Sequence, residues 1–177
     1  MKKVLLKKNN DGFALVEMII YLAIMVVITL AIVQSIIVVV KSNKQSFVSN
    51  NIKNSAVSAL EEMTRDIRNA TSIDLASSTL KASNGRLQLN STDTSGNQKV
   101  TTFYLRSNVL MINASSSSGV LAGPLTFSGT KVLSLKFIPI TTQNSSAVKI
   151  EMVIEGNNQG IVEDQNFYST MILRGSY

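Results

Sequence analysis

Residues 13–40 read FALVEMIIYLAIMVVITLAIVQSIIVVV, 28 positions with one charge, Glu17. As a helix this run would extend about 42 Å at 1.5 Å per residue, and a bilayer core needs about 20 residues. It is long enough to cross a membrane, and so long an apolar run is rarely a buried core helix. What flanks it decides its use. Ahead of it stand twelve residues, MKKVLLKKNNDG, with Lys2, Lys3, Lys7 and Lys8. Behind it the chain runs VVVKSNKQSF, with no small-residue cleavage site. An ordinary secretory signal is basic, then apolar, then cut. Here the apolar run comes last, so it is expected to stay in the product. Four Lys before it, against Lys41 and Lys44 after it, keep the N-terminus in the cytoplasm and the remainder on the far side.

The rest of the composition narrows function. The 177 residues include no Cys, no His and no Trp. Disulfides, thiolate nucleophiles and His-ligated metals are excluded, and so is Ser-His-Asp chemistry. Ser–Lys chemistry remains, but no S-x-x-K stands at a helix start. A non-enzymatic protein without cofactor is expected. The formal net charge is +6, and half of it sits in the first twelve residues. The basicity is thus largely a topological label and argues only weakly for nucleic acid.

Glu17 is the anomaly. A carboxylate within an apolar helix costs about 2.5–3.5 kcal/mol at the bilayer centre, less near the end. One reading is snorkelling to the headgroups. The other is pairing with a positive charge. A cut after Gly12 would create an amine on Phe13, one helical turn from Glu17 in the same chain or facing the Glu17 of another. Low dielectric among packed helices would make either pairing matter.

The string G-FALVE, Gly12 to Glu17, ahead of an apolar helix, resembles the signal of type IV prepilins and type II secretion pseudopilins. The resemblance implies a membrane prepilin peptidase that cuts between Gly12 and Phe13 and N-methylates Phe13. It implies that Glu17 registers the subunit in a filament with other pilin or pseudopilin subunits. Single-pass residence in the bacterial cytoplasmic (inner) membrane would precede transfer to an extracytoplasmic filament. Ala14 stands where Thr or Ser is common in this family, Asp11 directly precedes the Gly, and Gln34 holds a place often occupied by Pro. These departures fit a minor subunit.

Residues 41–70 change character. Phe47, Ile52, Val57, Leu60, Met63 and Ile67 recur at helical spacings, which predicts an apolar stripe laid on a sheet. No Pro or Gly interrupts positions 13–70, so one helix of about 87 Å is expected. Beyond it the period shifts towards two. Strands are expected at 86–90, 99–106, 108–113, 132–140, 147–155 and 166–174, with a tight hairpin across Ser107 and Asn108. Leu133, Leu135 and Phe137 should share one face, as should Val148, Ile150, Met152 and Ile154. Pro139 places its strand end at a sheet edge. The expected class is α+β: a long N-terminal helix, membrane-spanning then amphipathic, packed on a C-terminal antiparallel β-sheet. The segments are a leader at 1–12, a transmembrane and filament-core helix at 13–40, its amphipathic continuation at 41–75, and a sheet domain at 76–177.

The tracts A-L-E-E-M-T-R-D-I-R, G-R-L-Q-L, F-Y-L-R-S-N-V-L, L-S-L-K-F and V-K-I-E-M-V-I-E resemble the J-type minor pseudopilins and related minor pilins. The major pseudopilin of that family has a calcium loop. Here Glu163 and Asp164 are the only adjacent acids near the end, and six to eight oxygens are needed, so a plain turn is expected and no metal. The alternative role is a tip adhesin or a DNA-binding minor pilin, with Lys81, Arg86, Lys99, Arg106, Lys131, Lys136 and Lys149 as candidate phosphate contacts.

Overall fold

The computed structural model describes residues 11–93, 95–117, 119–142 and 145–174, with side chains from residue 15 onward. Among the described residues one helix, α1 (Asp11–Asn69), is followed by eight strands: β1 (Ser72–Ile73), β2 (Arg86–Thr92), β3 (Gln98–Arg106), β4 (Val109–Ser116), β5 (Gly119–Pro124), β6 (Thr130–Thr141), β7 (Ser146–Asn158) and β8 (Ile161–Ile172). The class is α+β, as expected. The chain divides into two compact units at Asn43 and Lys44.

In the first unit every described side chain from Leu15 to Asn43 is exposed. Met18 and Met25 are among the most open, at 74% and 70%. The helix is long and apolar enough to cross a membrane, and its most apolar window has a mean hydropathy of 2.9.

In the second unit α1 buries Val48, Ile52, Ser55, Ala56, Ala59, Met63, Asp66 and Ile67, three or four residues apart. This corrects the expected stripe. Ile52, Met63 and Ile67 belong to it, but Phe47 and Val57 are more than half exposed and Leu60 only partly buried. Two of the true contacts are alanines. Small side chains let helix and sheet approach closely, and a reading that ranks residues by apolar bulk overlooks them.

The helix ends where Ala70 N–H bonds back to the Ile67 carbonyl at 3.2 Å, with Arg68 in the last turn facing the negative end of the dipole. The chain then enters the sheet as Thr71 N–H donates to the Asn90 carbonyl. Helix therefore stops before 75, the expected limit of the amphipathic segment.

The strands form two antiparallel sheets, β1-β2-β3-β4-β5 and β6-β7-β8. Backbone bonds stitch them together. Lys81 N–H donates to Phe137 O and Gly85 N–H to Leu135 O, and Val132 N–H donates to Asn108 O at 2.8 Å. The β3–β4 hairpin turns at Ser107 and Asn108, with φ of 51° and 63°. Both residues in the left-handed region give a two-residue turn whose twist suits the strands.

Along β7, Val148, Ile150, Met152 and Ile154 are buried as expected. Along β6, Leu135 and Phe137 are buried but Leu133 is 44% exposed, and Val132 takes the inner position. A bulge between Val132 and Ser134 shifts the register and turns Leu133 outward. Pro139 lies on β6, an edge strand, as expected. The core closes at Gly156, where an added Cβ would lie 2.8 Å from Ile52 Cγ1 and 2.9 Å from Val48 Cγ1.

Candidate functional site

The processing residues lie at the start of α1. Gly12 and Phe13 have helical backbone, and the Phe13 side chain lies outside the described residues. The leader at 1–10 lies outside them as well. Glu17 is exposed, one turn further along the helix. It accepts a hydrogen bond from the Tyr21 hydroxyl, Oη to Oε1, at 2.7 Å. That is short and charge-assisted, and the i,i+4 spacing brings the two side chains together.

Sequence reasoning missed Tyr21. The signal was present: it is the only Tyr in the apolar run, four residues after the only acid. In the same stretch Thr29 satisfies its hydroxyl by donating to the Met25 carbonyl at 2.8 Å, which lets a polar side chain reside in an apolar helix. What remains is an apolar surface with one carboxylate near its N-terminal end. Such a surface can bury itself in lipid or against other helices.

The second unit offers weaker candidates. Glu163 Oε1 accepts from Gln165 Nε2, which also bonds Ser49 Oγ on α1. Among the described residues no group of three or more Asp or Glu could hold a metal ion.

The candidate phosphate contacts are mostly tied to their own domain. Lys99 Nζ lies 3.3 Å from Asp66, and Lys149 lies 2.8 Å from Glu151. The Lys149 pairing raises its pKa and lowers that of Glu151. Arg86 packs over the Tyr104 ring at 5.9 Å. Lys131 and Lys136 stand opposite Glu155 and Glu151 in register. Four of the seven, Lys99, Lys131, Lys136 and Lys149, thus already have an acid beside them or opposite them in register.

A buried polar knot also holds the head together. Ser55 Oγ meets Thr130 Oγ1 at 3.1 Å and accepts from Phe127 N–H, fixing the 125–129 turn on α1.

Residues 7–33 match the prokaryotic N-terminal methylation motif. None of the curated proteins and none of the solved structures compared with the chain matches it. The chain therefore carries a type IV pilin-like prepilin signal, which fits prepilin peptidase processing and assembly with other pilins. The apolar N-terminal helix fits the inner-membrane anchor of prepilin-type proteins.

Proposed function

We propose that the chain is a minor subunit of a type IV pilus or type II secretion pseudopilus. The prepilin peptidase cuts between Gly12 and Phe13 and methylates Phe13. The subunit resides in the cytoplasmic membrane, N-terminus inward, until 13–40 exchanges lipid for the corresponding helices of other subunits. Glu17 meets a neighbour's terminal amine and sets the register. The observation that carries this reading is a conjunction: the methylation motif covers 7–33, and every described side chain from Leu15 to Asn43 is exposed. A minor role is supported by Ala14, Asp11 and Gln34, where the family commonly differs.

The test is the intact mass of the natural product. It should lack residues 1–12 and carry one added methyl. Gly12→Val should leave a longer, unassembled precursor. Normal processing and assembly of that variant, or an intact leader inside a fibre, would reject the proposal.

A further inference from the structure

Glu17 stands between two partners, each one helical turn away: residue 13 on one side and Tyr21 on the other. A cut after Gly12 makes the first a cation. In low dielectric an ion pair within the helix is strong, and a subunit that pairs its own amine with its own carboxylate has less to gain from a neighbour. In the uncut chain, where residue 13 still carries a peptide nitrogen, the structure shows the carboxylate engaged on the other side, by Tyr21 Oη at 2.7 Å. The hydroxyl compensates the desolvated charge without neutralising it.

We propose that Tyr21 is a positioning residue. It turns the Glu17 carboxylate away from the amine of its own chain and presents it to the amine of a neighbouring subunit. This rests on the filament-subunit reading. Docking then forms the ion pair between chains without first breaking one inside a chain.

The test uses the full processed chain, unassembled, in vesicles of phosphatidylethanolamine and phosphatidylglycerol. An amine-reactive ester labels the residue-13 nitrogen, and mass spectrometry of the N-terminal peptide gives the rate. Tyr21→Phe should slow labelling about tenfold, the effect of releasing one hydrogen bond to a charged group so that Glu17 swings onto the amine. In cells its filament yield should fall comparably, with processing unchanged. In a Glu17→Gln background, Tyr21→Phe should leave the labelling rate where Glu17→Gln alone puts it. A wild-type rate in Tyr21→Phe, or an equal slowing with Glu17→Gln present, overturns the positioning role alone. Intact mass that shows residues 1–12 still attached in every variant overturns the filament-subunit reading and this inference with it.

Discussion

Two parts of α1 put apolar side chains to opposite uses. From Leu15 to Asn43 every described residue faces outward. From Val48 to Ile67 a narrow stripe that includes Ala56 and Ala59 faces a sheet and is closed off from solvent. Apolar content alone does not say where a helix goes. The first part is apolar all round, as a helix is when its surroundings are apolar all round. The second is apolar along one line, because only one side meets a partner. The difference predicts different responses to the same kind of mutation.

The largest effect should come from the closed side. Phe137 is fully buried. Phe137→Ala should lower stability by about 3–5 kcal/mol, read from thermal melting of the full chain in detergent micelles by circular dichroism. Ile24→Ala, in the open part, should shift the same transition by less than about 0.5 kcal/mol. Equal losses would erase the distinction. Charge reverses the ranking. Ile28→Arg should cost about 2.5–3.5 kcal/mol of membrane insertion, seen as loss from the alkali-washed membrane fraction. It should leave the melting of the sheet domain untouched.

A smaller effect sharpens the closed side. An added methyl at Gly156 would collide with Val48 and Ile52. Gly156 lacks a positive φ, so the penalty is steric rather than conformational. Gly156→Ala should cost about 1–3 kcal/mol. Adding Val48→Ala should recover part of that loss, and strict additivity of the two would mean that they do not touch.

How much of this was legible follows the same contrast. The open part was nearly all in the sequence, because a bilayer-length apolar run, a basic flank and one acid are local features. The hairpin at Ser107 and Asn108 was legible too, since two short polar residues between alternating strands suffice for a tight turn. The face of α1 was harder. Val48, Ala56 and Ala59 are chosen by packing against the sheets, and for Val48 by the close approach of Gly156 on β7, contacts between distant residues that bulk and period do not reveal. Leu133 failed for a related reason: the bulge in β6 moves every later position by one, and no local residue announces it. Two sheets were read as one because the stitching bonds, such as Lys81 N–H to Phe137 O, involve irregular backbone. At the site, Glu17 was visible as an anomaly, but its partner Tyr21 was passed over because an aromatic in an apolar run looks like more of the same.

The smallest predicted effect concerns acid. The second unit has carboxylates whose pKa values are lowered by hydrogen bonds. For Asp74 the largest cause is Ser77, and for Asp93 it is the Asn97 N–H. For Glu151 it is Lys149. Each folded value lies below the unfolded one, so each contributes stability that is present above the unfolded carboxylate range. That contribution is lost as pH falls through the folded value. Lys149 has the opposite sign: raised in the fold, its contribution is complete at neutral pH and is lost only above about pH 10. Melting of the sheet domain should therefore be flat from neutral to about pH 5 and decline below about pH 4. Asp74 accepts from Ala76 N–H, Ser77 N–H and Gln88 Nε2, and so organises the loop between β1 and β2. Asp74→Asn should lower the plateau slightly and flatten the acid decline, because the charged form that those donors prefer is gone. These groups are open to solvent, so the change in slope should be small. An unchanged acid slope in Asp74→Asn would place the sensitivity elsewhere, with Asp93 and Glu151 as the next carboxylates to substitute.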